Sequence, residues 1–161
     1  MPHINIRTDL QPGDIGYITY LVGKLYAQEY GMTILNDIEM ATFFAHFAQH
    51  QQPQKERIWI AEMEGQIVGS VIIFEQIEGV AHLRTLILHP SARGFGLGRK
   101  LMQAAVDFCR QVGYQKIELE TFDELSAALH LYQSLGFQPT NERFHAEWGR
   151  PVRELQFELL L

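Results

Sequence analysis

The chain has 161 residues, 47% of them hydrophobic, which suits one soluble domain over residues 1–161, and no apolar run approaches the roughly 20 residues of a membrane span. Its formal net charge of −6 argues against general binding to nucleic acid, because that affinity comes largely from lysine and arginine on phosphates. Because the N-terminus lacks the apolar core of a signal peptide and the lone Cys109 cannot form an internal disulfide, we expect a cytoplasmic protein.

Hydrophobic periodicity and turn signals predict strands and helices along the whole chain. The expected elements are, in order, a strand at residues 4–10, helices at 14–30 and 37–49, strands at 57–63, 66–74 and 80–88, a helix at 97–112, a strand at 114–120, a helix at 124–135 and a final strand at 152–161. Asp14 is a good N-cap for the first helix, Gly31 ends it, and Glu64-Gly65 forms a tight hairpin turn. Antiparallel hairpins followed by strand–helix–strand units predict the fold class α/β (α+β), a mixed sheet with helices on its faces.

A glycine-rich loop follows the strand at 80–88 and carries the strongest functional signal. It places Gly94, Gly96 and Gly98 at the start of a helix, so that successive backbone N–H groups can point into one concavity. The helix N-terminus adds partial positive charge, and Arg93 adds a full charge at the rim. The segment therefore predicts a site for an anion the size of pyrophosphate.

Two common nucleotide-binding motifs do not match this loop. A P-loop needs Gly-Lys-Ser/Thr at the helix start, whereas Gly98 is followed by Arg99-Lys100-Leu101. A dinucleotide fingerprint spaces its glycines differently and needs an acidic residue after a following strand. The pattern Arg-x-x-Gly-x-Gly after a strand and a proline resembles the acetyl-CoA pyrophosphate loop of the GNAT superfamily of N-acetyltransferases. A glycine-rich turn without a ligand is the alternative, which Arg93 and the following helix disfavour.

The resemblance extends beyond the loop. Residues 114–120 look like the strand that follows this helix in GNAT proteins, and residues 127–137 resemble their second signature, a helix that ends in Tyr-x-x-x-Gly-Phe. Residues 13–16 and 25–31 are similar to the acetyltransferase part of proteins that join a MarR-type DNA-binding domain to a GNAT domain. No helix-turn-helix pattern accompanies them and nothing precedes Met1, so we expect the GNAT part alone.

The resemblance implies the GNAT fold, a mixed and mostly antiparallel sheet flanked by helices, with acetyl-CoA as cosubstrate. In GNAT proteins the strand before the loop splays from its neighbour, and its exposed backbone binds the pantetheine arm as an added strand would. The implied cofactor-binding residues are Leu86, Ile87, Leu88, Arg93, Gly94, Phe95, Gly96, Leu97, Gly98 and Arg99. Leu125 stands where many relatives carry an asparagine that contacts the cofactor, so that contact does not carry over.

The resemblance also implies a general acid. It puts the Tyr132 hydroxyl near the cofactor sulfur, where it would protonate the departing thiolate. The alternative is a helix tyrosine that packs above Gly136-Phe137. Three side chains are candidates for the general base: Glu29, His82 and Glu120. A chain of water molecules could replace all three.

These observations predict an acetyl-CoA-dependent N-acetyltransferase that acts on the primary amine of a small molecule or protein by direct attack. A non-catalytic module that senses acetyl-CoA or binds a partner is the alternative, to which Leu125 gives weight. We expect no metal site, because His46 and His50 lack the glutamate of a zincin motif. An edge strand that ends in the apolar residues 159–161 needs cover, so we expect a homodimer, with completion of the domain's own core as the alternative.

Overall fold

The computed structural model describes residues 2–161, which form seven strands and four α-helices. The strands are β1 (Ile4–Arg7), β2 (Arg57–Met63), β3 (Gln66–Ile77), β4 (Val80–Leu88), β5 (Lys116–Phe122), β6 (Gln138–His145) and β7 (Val152–Leu160). The helices are α1 (Asp14–Tyr30), α2 (Ile34–His50), α3 (Leu97–Val112) and α4 (Ser126–Ser134), with a short 3-10 turn at Pro90–Ala92. Across this described part of the chain, no helix combines the length and apolar character needed to cross a membrane.

The strands form one sheet in the order β1-β2-β3-β4-β5-β7-β6. Neighbouring strands pair antiparallel except β4 and β5, which run parallel. Helices α1 and α2 pack an apolar cluster that includes Phe44 on one face, and α3 and α4 pack another that includes Leu101 on the other face. Each helix buries its apolar side against the sheet, so the predicted mixed, mostly antiparallel sheet flanked by helices is confirmed.

The parallel strands β4 and β5 are joined along part of their length. Leu83 and Leu119 are their last paired residues, although β4 continues to Leu88 and β5 to Phe122. Thr85 lies at a bulge where the register between β3 and β4 shifts, and its φ of 58° is uncommon for a β-branched residue. The two strands therefore diverge and open a gap in the middle of the sheet.

The edge strand β6 is the element that the sequence analysis did not predict. Seven of its eight residues are exposed and it contains Pro139, so no apolar alternation marks it as a strand. It forms because β7 offers it a pairing partner, from Gln138 to His145. Pairing between distant segments, and not local pattern, creates this edge of the sheet.

Two helices begin differently from the prediction. Gly13, not Asp14, is the N-cap of α1. The Asp14 carboxylate instead accepts two hydrogen bonds of 2.8 Å from the Arg7 guanidinium and one of 2.7 Å from the Gln11 N–H. Helix α2 begins at Ile34, earlier than expected, because the side chain of Thr33 caps it.

The apolar end of the chain lies in an internal strand. Strand β7 pairs with β5 on one side and with β6 on the other, which corrects the prediction of an edge strand. Leu159 packs against the cluster under α3, whereas Leu160 is 72% exposed. The sheet therefore covers β7 on both sides up to Glu158, whereas the apolar end beyond it pairs with β5 alone, and the homodimer stays a prediction.

Candidate active site

The glycine-rich loop leaves its backbone open to a ligand. Gly94 and Gly96 have φ values of 85° and 74°, and a Cβ built on either would meet no atom of residues 2–161 within 4 Å. Gly96 is also the N-cap of α3 and has no side chain that could cap the helix, so the first N–H groups of α3 keep their partial positive charge at the loop. The loop thus fits the predicted anion.

A cavity of about 330 Å³, here called the loop cavity, lies beside this loop. Eight of the ten predicted cofactor-binding residues line it, all except Phe95 and Arg99. Phe95 is 40% exposed, and the Arg99 guanidinium donates to the Ser134 hydroxyl at 2.8 Å. Residues of α1 and α4 complete the wall. The sequence motif therefore identifies one wall of the loop cavity, and the other wall comes from α1 and α4, which are distant from the motif in the sequence.

Arg93 is held at the rim of the loop cavity by two partners. Its guanidinium donates to the Glu29 carboxylate at 2.7 and 2.9 Å and to the backbone oxygen of Leu88 at 3.2 and 3.3 Å. Arg93 lowers the pKa of Glu29, so the carboxylate is ionised at neutral pH and is a weaker proton acceptor. The position of Glu29 favours an electrostatic role beside the loop over the predicted role of general base.

Tyr132 lies at the gap between the diverging strands. It lines a small cavity of about 80 Å³, here called the central cavity, together with Thr85, Thr121 and Leu125. The side chain is buried, and burial raises the pKa of its phenol, so the hydroxyl keeps its proton at neutral pH. The ring also packs against Phe137, with centroids 5.9 Å apart. Packing is thus one role of Tyr132, and it is compatible with the predicted role of acid.

His82 and Glu120, two separate candidates for the general base, lie in contact across β4 and β5. The Nε2 atom of His82 is 2.5 Å from a carboxylate oxygen of Glu120, and His82 is 6% exposed. This His82–Glu120 dyad lines a polar cavity of about 390 Å³, the dyad cavity, on the side of the sheet that α2 covers. Arg84 in the same cavity already donates to Glu39 at 2.6 Å. A carboxylate that stabilises the imidazolium suits the dyad to accept a proton.

The three cavities meet at the gap between β4 and β5. The central cavity shares Leu86 and Leu125 with the loop cavity. It shares Arg84 and Glu120 with the dyad cavity. The loop cavity, the central cavity beside Tyr132 and the dyad cavity are therefore neighbours along this gap.

Residues 20–137 match the family model described as Acetyltransferase (GNAT) family. The chain belongs to the GNAT family of acetyltransferases. Among its GNAT relatives, Uncharacterized N-acetyltransferase C1271.07c of Schizosaccharomyces pombe is 29% identical over 147 residues, which are 89% of this chain and 88% of the relative. Human N-acetyltransferase 8B is 33% identical over 99 residues, 58% of this chain. The match spans 44% of that human protein, less than half of its length.

Solved GNAT structures share the fold of this chain. YncA of Salmonella typhimurium, solved with its cofactor acetyl-CoA, has a TM-score of 0.75 at 18% identity, over 99% of this chain and 94% of YncA. A GNAT acetyltransferase of Staphylococcus aureus Mu50 has a TM-score of 0.82 at 16% identity, over 99% of both chains. The predicted GNAT fold is therefore confirmed, and at these identities the likeness is one of fold.

The central cavity of this GNAT chain contains two polar residues, Asn36 and Thr121, that were not identified from the sequence as part of the site. Asn36 lies one helical turn before the buried Met40 on α2, and Thr121 shares a strand face with the buried Leu119. Both positions lie one residue outside the predicted helix at 37–49 and the predicted strand at 114–120, and the same periodicity extended by one residue marks them as buried. A polar residue at such a position is the signal that would have found them.

An aspartate in the loop tests the anion site. In Gly96→Asp a Cβ and a negative charge enter the cradle at a backbone φ of 74°, so we expect the affinity for coenzyme A to fall at least about tenfold in calorimetry. Gly113→Asp is the matched control, because Gly113 has a φ of 92°, ends the same helix and has equally open surroundings among the described residues. Equal affinities in the two variants would contradict the loop assignment.

Proposed function

We propose that this GNAT chain transfers the acetyl group of acetyl-CoA to the primary amine of a small molecule or protein by direct attack. The observation that carries this proposal is the row of three neighbouring cavities at the gap between β4 and β5, from the glycine-rich loop to the His82–Glu120 dyad. One reactant bound in the loop cavity and another bound in the dyad cavity would meet at this gap. Their proximity there makes a covalent enzyme intermediate unnecessary.

Acetyl-CoA, the cosubstrate of the GNAT family, fits the loop cavity. The open backbone at Gly94 and Gly96 suits its pyrophosphate. The edge of β4 that β5 leaves unpaired beyond Leu83 suits the amides of the pantetheine arm, which can pair as an added strand would. Arg93 contributes its charge at the rim by changing its partner from Glu29 to a phosphate. The thioester then lies at the gap, beside Tyr132.

The dyad prepares the amine. An acceptor that arrives as an ammonium ion loses one proton to His82, and Glu120 stabilises the resulting imidazolium. The neutral nitrogen attacks the thioester carbon, and the electron pair of the C=O bond moves onto oxygen. When that pair returns, the C–S bond breaks, its electrons leave with the sulfur, and the second amine proton passes to solvent.

Tyr132 completes the transfer by protonating the leaving thiolate; after the products leave, the phenolate takes a proton back from solvent and His82 releases its proton to solvent, so that one proton is released for each acetyl group transferred. Its phenol carries a proton at neutral pH. The phenol is buried beside the gap, so little water is present to protonate the thiolate in its place. Burial also raises its pKa, which makes the phenol a weaker acid in isolation. The thiolate must therefore be in direct contact with the hydroxyl as the C–S bond breaks.

One residue favours the alternative function of a module that binds acetyl-CoA without efficient turnover. Leu125 lines both the loop cavity and the central cavity, and its side chain offers no hydrogen bond. The deciding experiment is an acetylation screen with acetyl-CoA and polyamines, amino acids, aminoglycosides or peptide N-termini. Amine-dependent release of coenzyme A supports the transferase, whereas binding of acetyl-CoA without release supports the module.

The setting of this reaction is also part of the proposal. We propose a cytoplasmic homodimer that has neither nucleic acid nor a membrane as partner. Composition and the net charge of −6 support the absence of nucleic acid, and the exposed edge strand β6 with its exposed Phe144 offers a surface to a second copy. The narrower resemblance to MarR–GNAT proteins stays a prediction, because the family match concerns the acetyltransferase domain alone.

Removal of the Tyr132 hydroxyl tests the general acid. We expect Tyr132→Phe to fold and to bind coenzyme A like the wild type, while kcat falls about 10²-fold because the thiolate loses its proton donor. Tyr114→Phe is the matched control, since it deletes another buried tyrosine hydroxyl, which donates to the Lys55 backbone oxygen remote from the site. If kcat is the same in both variants, Tyr132 is a packing residue.

Amide substitutions separate the candidates for the base. We expect Glu120→Gln to lower kcat about 10²-fold, because the His82 imidazolium loses its stabilising charge. In Glu29→Gln we expect kcat to hold and coenzyme A to bind more tightly, since Arg93 is then free of its carboxylate partner. Steady-state kinetics and calorimetry measure the two effects. A fall of kcat in Glu29→Gln alone would restore Glu29 as the base.

Mass in solution tests the homodimer. Light scattering at micromolar concentration should give about twice the 18.5 kDa of the chain. A mass near 18.5 kDa would reject the dimer. The substitution Phe144→Asp on the edge strand should then shift the dimer toward the monomer, because it charges an exposed apolar position at the supposed contact.

A further inference from the structure

The central cavity contains polar atoms that the fold does not satisfy. Within residues 2–161, the side-chain nitrogen of Asn36 and the hydroxyls of Thr85 and Thr121 are buried without a hydrogen-bond partner. All three residues line the central cavity. Asn36 is 3% exposed and Thr121 is 4% exposed. An unpaired buried polar group destabilises a fold, so folding alone does not account for these residues.

The surroundings of the two most buried residues are apolar. Thr121 shares its strand face with Ile117 and Leu119, which belong to the core under α3. Asn36 lies one turn before Met40, a member of the cluster under α1 and α2. Valine or leucine would suit either position better by packing criteria. Both polar groups are therefore explained by a ligand that enters the central cavity.

The two residues lie on opposite faces of the sheet. Thr121 lies on the side of α3 and α4, which is also the side of Tyr132. Asn36 is part of α2, on the side from which the dyad cavity opens. Because both residues line the central cavity at the gap, Thr121 is placed to meet the thioester and Asn36 is placed to meet the acceptor.

We propose, on the basis of the proposed function, that Asn36 and Thr121 bind the two reactants of acetyl transfer. The Thr121 hydroxyl donates a hydrogen bond to the thioester oxygen, which gains negative charge as the amine attacks. The Asn36 amide nitrogen can only donate, so its partner on the acceptor is an oxygen close to the reacting amine. This geometry points to amino-acid amides or peptide N-termini as acceptors, in preference to simple alkylamines.

An isosteric substitution tests Thr121. Thr121→Val keeps the shape and removes the unpaired hydroxyl, so we expect a melting temperature equal to or above that of the wild type. We also expect kcat to fall at least about tenfold at an unchanged KM for acetyl-CoA, and Thr121→Ser to restore the rate. Thr19→Val is the matched control, because the Thr19 hydroxyl donates to the Ile15 backbone oxygen on α1 and lies outside the three cavities.

Two acceptor probes test Asn36. Alaninamide carries an oxygen next to its amine, and ethylamine does not. We expect Asn36→Leu to raise the KM for alaninamide at least about tenfold and to raise the KM for ethylamine much less, because ethylamine has no oxygen that the Asn36 amide could bind. Melting temperatures measured beside the kinetics show whether the variant is folded.

The outcomes separate this inference from the proposed function. If the wild type acetylates amines while Thr121→Val keeps its kcat and Asn36→Leu keeps its KM for alaninamide, the inference alone is overturned. Equal losses on both probes in Asn36→Leu, or a wild type that acetylates polyamines but not alaninamide, would overturn the assignment of Asn36. A wild type that binds acetyl-CoA and acetylates no amine would overturn the proposed function, and this inference with it.

Discussion

The site depends on one constraint, the end of pairing between β4 and β5 at Leu83 and Leu119. Two parallel strands that stayed paired to their ends would close the sheet and separate the helices on its two faces. Because these strands part, the edge of β4 that faces β5 is left unpaired beyond Leu83, and the central cavity lies between the loop cavity and the dyad cavity. Several backbone hydrogen bonds between β4 and β5 are therefore absent at the place where a bound substrate can form them instead.

The charged groups around these three cavities are arranged in local pairs. Arg93 pairs with Glu29 at the loop, Arg84 with Glu39 beside α2, and His82 with Glu120 at the gap. The first two pairs join a guanidinium to a carboxylate, whereas the third joins an imidazole to a carboxylate. An imidazole can accept a proton and a guanidinium cannot, so the dyad is the one of these three pairs whose nitrogen partner can take a proton from a substrate.

Some elements of this fold could be predicted from the sequence, whereas others could not. The loop at residues 94–98 and the helix after it could be predicted because glycines and periodicity are local signals. Contacts between distant residues could not be predicted in this way, because His82 and Glu120 are 38 positions apart in the sequence and Glu29 and Arg93 are 64 positions apart. Strand β6 was missed for a related reason, because its exposed, polar residues owe their conformation to β7. The acceptor side of the site is built from such long-range contacts.

The bulge at Thr85 also determines which face of the sheet the later side chains of β4 point to, just before the chain enters the glycine-rich loop. Before it, Leu83 faces the cluster under α3 and Arg84 faces α2; after it, Leu86 packs toward α3 and Ile87 toward α1. Strict alternation would have reversed the last two side chains. One additional residue therefore rotates the rest of β4 by half a turn, so that its leucines anchor α3 while the chain enters the glycine-rich loop. A deletion at this position would turn that loop toward the opposite face of the sheet.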